Sequence, residues 1–514
     1  MGGRTSSRRS FLRGSLATAA LAPLAGAVLA ACEPPPLPPN LPSGLFALGV
    51  ASGDPLPDAV MLWTRLAPQP LAGGGMPAVD VPVRWQVAED DAFARVVKEG
   101  TATAAPNLAH SVHVDVTGLR PGAWYHYRFM VGDESSPVGR ARTAPAAGAA
   151  DPLRFLFASC QNWRDGYWPA WGHAAEEDAD LVVHLGDYIY ESGVSGGGGI
   201  REHNSAEIRT LEDYRNRYGL YKGDPALQAA HAACPWVVTW DDHEVENNYA
   251  ALLPEDPAEA AAFAARRGVA YQAWWEHQPV RLPPADGSSL RIYRALDWGT
   301  LARFHVIDSR QYRSDQACST TSDLGQDCPD RHLPDRTLLG ANQEAWLGQS
   351  LASSDATWDV LANQVVFTSM PLAGTIFNFD QWDGYPLART RVLEQLAAAG
   401  TENPIVITGD IHAAGVADVI DEAPGSPAVA TEFVGTSISS RFDPSLADAA
   451  EQLIGELPHV RYVNVRQRGY VRCDLNDVEF VARYQMVESV ATPTSPLTTA
   501  STWTVTSGTV GAEA

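Results

Sequence analysis

His184-Leu185-Gly186-Asp187-Tyr188-Ile189-Tyr190 is the stretch on which the reading of the fold turns. Its start overlaps the apolar run from Leu181 to Leu185, which has the composition of a strand buried on both faces. Gly186 permits a tight turn, so Asp187 and Tyr190 are expected at the C-terminal end of that strand. Open α/β sheets place their ligands at this edge. A carboxylate with a phenolate is a hard, anionic donor pair, suited to a high-charge cation such as ferric iron. A Gly-Asp turn on its own is equally an ordinary strand-to-loop connection, and the rest of the chain has to decide.

The same pattern recurs on both sides of it. Residues 154–158, 236–240, 358–361 and 404–408 read as apolar strands, as do residues 302–307. Four of these lead into polar residues able to bind metal: Cys160-Gln161-Asn162, Asp241-Asp242-His243-Glu244, Asn363-Gln364 and Asp410-Ile411-His412. Helical patterns over residues 168–177, 206–218 and 257–277 separate strands, which predicts an α/β layered domain from residue 151 to 514. Five such endings on one sheet would converge on one rim. Upstream, residues 44–145 alternate with period two, as in Val81-Pro82-Val83-Arg84-Trp85-Gln86-Val87. This segment resembles a fibronectin type III or immunoglobulin-like β-sandwich, joined to the rest by an Ala/Pro/Gly stretch at residues 144–152.

Residues 1–32 read as an address. Arg8-Arg9 lies in a twin-arginine n-region, and an Ala/Leu-rich stretch follows, too short and too interrupted for a membrane span. Export to the periplasm or the exterior is expected. Leu29-Ala30-Ala31-Cys32 matches a lipobox and equally a small-residue cleavage site, so a lipid anchor at Cys32 stays open, as does the oligomeric state. Residues 33–43, rich in proline, read as a stiff linker.

The formal net charge of −24, from 37 Lys and Arg against 61 Asp and Glu, excludes general nucleic-acid binding. An anionic substrate would need local cations, which bound metals could supply. Of six cysteines, Cys318 and Cys328 share a polar loop and are natural disulfide partners, and Cys234 could pair with Cys473. Cys160 is then left over, at one of the five strand endings.

Taken together, Ser159-Cys160, Gly186-Asp187-x-x-Tyr190, Asp241-Asp242-His243-Glu244, Asn363-Gln364 and Gly409-Asp410-x-His412 resemble the PhoD-type alkaline phosphatases and phosphodiesterases. These are calcineurin-like metallophosphoesterases related to purple acid phosphatases. The resemblance implies a sandwich-type metallophosphoesterase domain preceded by the small all-β domain. It also implies hydrolysis of phosphomonoesters or phosphodiesters at alkaline pH by a metal-activated hydroxide. Its implied Fe3+ site is Cys160, Asp187, Tyr190 and His412. Asp187 would bridge to Ca2+ held by Asp242, Asp410 and an amide oxygen of Asn363 or Gln364, the carboxylates making that second site oxygen-rich. Asp242 rather than Asp241 is expected to face the metals, because Asp-His-Glu overlays the Asn-His-Glu pattern of the wider superfamily. His243 would act beside the leaving-group oxygen, and Arg310 could bind phosphate or form a structural ion pair. Phospholipase D-like action on phospholipids is the alternative activity. A metal-free Cys/His hydrolase and a non-enzymatic surface-binding protein are the competing classes.

Overall fold

The computed structural model describes residues 36–193, 198–319, 324–371, 376–421 and 426–514. The twin-arginine segment, Cys32 and the start of the proline-rich linker lie outside the described residues, as does the middle of the Gly193–Gly199 loop. No described helix is long and apolar enough to cross a membrane.

Two large sheets carry the architecture. The nine-stranded sheet runs Leu497–Thr506, Glu479–Val487, Arg468–Leu475, Leu153–Ala158, Leu181–His184, Pro235–Val238, Val50–Leu56, Ala59–Arg65 and Ser111–Thr117. The seven-stranded sheet runs Arg294–Trp298, Ala302–Val306, Trp358–Ala362, Pro404–Thr408, Ala428–Val434, Ala414–Ile420 and Val460–Asn464. The central neighbours in each are parallel. Such strands are covered on both faces, and Leu181–His184, Trp358–Ala362 and Pro404–Thr408 are buried throughout.

The sheets pack face to face. Phe155, Phe157 and Val183 of one share a core with Phe304, Val360 and Phe433 of the other. Helices Pro169–Ala174, Leu211–Lys222, Pro225–Ala233 and Ala260–His277 cover the outer face of the first sheet, and Gly340–Ala352 and Pro386–Ala399 that of the second. The result is four layers, α-β-β-α.

The N-terminal stretch is less separate than its sequence implies. Val50–Leu56 pairs in parallel with Pro235–Val238, so three of its strands extend the large sheet. The five remaining strands, among them Val81–Ala88 and Trp124–Val131, close a sandwich over them around Val60, Val83 and Tyr127. Gly53 makes the junction possible: a Cβ there would lie 2.2 Å from the Pro279 carbonyl oxygen and 2.6 Å from that of Trp236.

Several expectations are corrected. The helix read as 206–218 is Leu211–Lys222, because Thr210 Oγ1 accepts from Asp213 N (3.2 Å) while Asp213 Oδ2 accepts from Thr210 N (2.9 Å). This capping box was legible as Thr210-x-x-Asp213. The helix at 168–177 is only Pro169–Ala174. Cys318 and Cys328 form a disulfide, but Cys234 and Cys473 are free. They belong to strands three places apart in the sheet, roughly 14 Å at about 4.8 Å per strand, beyond the reach of a disulfide.

Candidate metal centre

The rim is built by turns at the C-terminal ends of parallel strands, which belong to two sheets rather than the one expected: Leu153–Ala158, Leu181–His184 and Pro235–Val238 in the first, Trp358–Ala362 and Pro404–Thr408 in the second. Four residues there adopt left-handed backbone: Cys160 (φ 58°), Asp187 (56°), Asp410 (68°) and His412 (56°). Such conformations are uncommon for residues with a Cβ and gather where side chains must be aimed at a site. Gly186 is needed because a Cβ would lie 2.6 Å from the Asp241 nitrogen. Glu244 clasps the same two turns, accepting from the backbone nitrogens of Asp187 (3.1 Å), Tyr188 (2.6 Å) and Asp241 (2.8 Å).

Three overlapping groups of donors result, each with its atoms within 4.8 Å of one another: Cys160, Asp187 and His412; Asp187, Asp242 and His243; Asp241, Asp242 and Asp410. Asp187 is common to the first two, the position of a bridging carboxylate. Tyr190 joins the first group. Its hydroxyl donates to Asp187 Oδ2 (2.8 Å) and lies 3.3 Å from His412 Nε2 and 2.8 Å from Ser440 Oγ.

Three buried carboxylate and amide oxygens here lack a hydrogen-bond partner: Asp187 Oδ1, Asp242 Oδ1 and Asn363 Oδ1. Buried oxygens are normally satisfied, and three orphans of carboxylate and amide type are what a cation-binding cradle leaves. They favour Asn363 over Gln364 as a candidate donor. Asn363 donates to Val365 O (2.6 Å), which leaves its Oδ1 free. The Gln364 amide is engaged with Thr239 Oγ1, Ile307 O and Ser309 N, so its expected role as a ligand is not supported.

Of the two alternatives for Arg310, phosphate binding or a structural ion pair, the contacts are those of the ion pair. The side chain is fully buried and faces carboxylates, donating to Asp241 Oδ1 and to Asp380 Oδ1 (2.8 Å), with its Nη2 3.5 Å from Asp242 and 3.6 Å from Asp410. It is a countercharge beneath the centre, and a guanidinium so surrounded does not reach a phosphate in the cavity. Tyr312 packs near the Tyr293 ring.

Arg310, joined by Arg313 on Asp380 (3.1 Å), does not balance the acids. Burial pushes Asp410 up to about 8, with Asp242, Asp380 and Asp187 adding to it against Arg310. Burial and then Asp187 raise both Cys160 and Tyr190. Burial, with Arg468, holds His412 down to about 4. Donors this crowded with negative charge are suited to bound cations, which would reverse the upward shifts of Asp410, Cys160 and Tyr190 and reinforce the lowering of His412.

Several participants escaped the sequence reading. Glu191 Oε2 lies 2.6 Å from His243 Nδ1 while its Oε1 accepts from Asn247 N (3.2 Å). Burial opposes a proton on His243, but Glu191, Asp242 and Asp187 outweigh it and raise its pKa. Glu191 directly follows Tyr190, so its place was readable. Ser440 ties Tyr190 to the Cys160 carbonyl (2.8 Å). It lies beyond the parallel strand Ala428–Val434, a sixth strand ending without a metal-binding signal because serine is a poor metal ligand. Gln381 donates to Asp410 Oδ2 from a loop with no local signal.

The centre opens into a cavity of about 450 Å3. Asp187, Asp242, His243 and His412 line one side, and Ile411, Phe442, Leu446 and Ile454 form an apolar wall.

Overlapping groups of carboxylate, thiol and imidazole donors thus share one rim at the edge of paired sheets, a candidate centre for metal-assisted ester hydrolysis. The PhoD-like phosphatase family model matches residues 155–484, and the model of that family's N-terminal domain matches residues 32–145. Alkaline phosphatase D of Bacillus subtilis (strain 168) is 49% identical over 473 residues, covering 90% of this chain and 81% of that protein. A solved structure of PhoD superposes with a TM-score of 0.88 at 47% identity, covering 93% of each chain. A purple acid phosphatase from yellow lupin (Lupinus luteus) seeds shares the fold at a TM-score of 0.56 and 12% identity, covering 89% of this chain and 73% of that one. The chain belongs to the PhoD-like phosphatase family.

Proposed function

We propose that this protein is an exported, metal-dependent phosphoesterase that hydrolyses phosphomonoesters and phosphodiesters at alkaline pH with ferric iron and calcium. The observation that carries the reading is a chain of donor groups: Asp187 is shared by the group with Cys160 and His412 and the group with Asp242 and His243, and Asp242 links the latter to the all-oxygen group of Asp241 and Asp410. Cys160, Tyr190 and His412 supply thiolate, phenolate and imidazole, which suit iron. Asp242, Asp410 and Asn363 supply only oxygens, which suit calcium. When bound, the two cations would offset the charge of the phosphate and acidify an attacking water.

The chain's own groups do the rest. Glu191 fixes the His243 ring through Nδ1, so Nε2 is the atom free to meet the substrate. There it would deliver a proton to the departing oxygen, as a general acid within hydrogen-bond reach must. Ser440 and Glu244 hold Tyr190 and Asp187 in place, and Arg310 pairs with Asp241 and Asp242 below them. Export rests on the Arg8-Arg9 segment alone.

Metal analysis with a visible spectrum of the purified protein tests this reading. Iron and calcium should be present, with a charge-transfer band that is lost in Tyr190→Phe. A colourless, iron-free and fully active protein would refute the assignment. The apolar wall of Ile411, Phe442, Leu446 and Ile454 favours a second reading, phospholipase D-like cleavage of phospholipids. Choline release from phosphatidylcholine at a rate below one hundredth of aryl phosphodiester cleavage would reject it.

A further inference from the structure

Behind the wall of the metal cavity lies a second cavity of about 370 Å3, and Phe442 borders both. Arg468 lines the second one and is 8% exposed. Its guanidinium donates to the backbone oxygens of His412 (3.1 Å), Val465 (3.3 Å) and Gln467 (2.8 Å) and approaches Thr436 Oγ1 at 3.4 Å. Among the described residues no carboxylate forms an ion pair with it. The other two arginines of the lining are already paired, Arg441 with Asp165 (3.2 Å) and Arg466 with Glu451 (3.0 Å). Burial brings Arg468 down to about 10 against the pull of Asp165 and Cys160. A buried cation without an ionic partner is costly and is relieved by an anion.

The remaining lining narrows the class of anion. Phe442, Val465, Val487 and Val490 make most of the wall apolar, and Glu488 stands at the exposed rim. A dianion would meet one guanidinium and a carboxylate, whereas a monoanion with a hydrocarbon tail matches both the charge and the wall. We propose that this cavity binds a small amphiphilic monoanion of the carboxylate type, its head on Arg468 and its chain against Phe442, Val465 and Val487.

The segment between the cavities connects such a ligand to the centre. Arg441 O lies 3.0 Å from His412 Nδ1, and Ser440 Oγ lies 2.8 Å from the Tyr190 hydroxyl. An occupant therefore alters turnover without displacing substrate, an effect that rests on the proposed phosphoesterase function, whereas the binding itself does not.

Hexanoate is the probe, titrated calorimetrically into the metal-loaded protein with inorganic phosphate saturating the metal cavity. One saturable site is expected. Arg468→Gln should weaken it at least about tenfold, the scale of one charged hydrogen bond. Ser489→Trp, changed at an exposed lining position so that folding is spared, should block it even if the arginine variant fails to fold. Hexanol, which has the chain without the charge, should not bind. In kinetics, hexanoate should change kcat and leave KM alone, and Ser489→Trp should abolish the effect. Absence of saturable binding, equal binding of hexanol, or affinity unchanged in Ser489→Trp would overturn the proposal. So would hexanoate competing with substrate in wild type and Ser489→Trp alike.

Discussion

Two buried regions of this protein handle charge in opposite ways. At the rim, Asp241, Asp242, Asp380 and Asp410 crowd around Arg310, with Asp187 beside Asp242, the acids outnumbering their cations. On the outer face of the same sheet, Lys222 is 2% exposed, with Nζ 3.4 Å from His231 Nε2 and 4.3 Å from the centre of the Trp63 ring. His184 and His277 lie in that same helix-covered layer. There burial alone pushes Lys222 well down, and burial followed by Lys222 takes His184 to about 3 and pushes His231 well down. The bases answer desolvation by shedding their protons. The rim acids are held so close that a proton answers only part of the strain, and cations answer the rest. Burial of titratable groups therefore does not mark a function by itself; a geometry that leaves oxygens orphaned does.

The contrast is broken most forcefully at its shared carboxylate. Asp187→Asn should lower kcat/KM and iron content by more than about 100-fold, beyond what loss of a supporting hydrogen bond costs. The metal-free variant should be no less stable than metal-free wild type, because one repelling charge has gone. Atomic absorption with urea unfolding in chelator checks both halves. A destabilised apo variant would show that the rim acids support the fold rather than await cations.

In the basic layer the signature is a pH dependence of stability. Unfolded lysine keeps its proton up to about pH 10.4, and Lys222 in the fold loses it at a lower pH because of burial. Folding then releases a proton between the folded pKa and about pH 10.4, and within that window this part of the stability falls as pH drops, by at most about 1.4 kcal/mol per pH unit. Lys222→Met removes the term. Its unfolding midpoint should exceed that of wild type at pH 7, with the gap closing toward pH 10, and its activity should be unaltered. A gap that widens with pH would reverse the assignment.

Much of the centre was legible in sequence, and the reasons are local. A parallel strand buried on both faces is a short apolar run, and the residues just beyond it must turn at the sheet's edge, so Cys160, Asp187, Asp242, Asp410 and His412 announced a shared rim. Position across the sheet was not legible. Nothing near Cys234 or Cys473 states that two strands lie between theirs, and nothing near Val50 states that it pairs with Pro235. Arg310 shows the same limit, since a basic residue after a strand reads equally as a phosphate grip or as a buried countercharge. Only the neighbouring carboxylates, contributed by three other segments, decide.

Glu191 separates orientation from ligation within the rim. Its carboxylate meets His243 Nδ1 at 2.6 Å and, among the described residues, belongs to none of the metal-binding groups. Glu191→Gln should keep iron and calcium and leave KM near wild type. It should reduce kcat about tenfold, the lower range for a misdirected proton donor, and move the alkaline limb of the kcat profile to lower pH. An equal loss in a substrate whose leaving group needs no proton would show that Glu191 shapes the site in some other way.

The smallest effect is expected where the two regions contain the same residue. Cys160, Cys234 and Cys473 are all buried and free, and burial raises the pKa of each thiol. Only Cys160 lies among Asp187 and His412. Cys160→Ser should therefore shift or abolish the visible band. Cys234→Ala and Cys473→Ala should each cost about 1 kcal/mol of stability from lost apolar burial, with metal content and activity unchanged. If Cys473→Ala also altered the spectrum, the sheet beneath the rim would be transmitting its packing to the ligands. The separation between a reactive edge and an inert core would then fail at the strand Arg468–Leu475, which runs beside the one leading into Cys160.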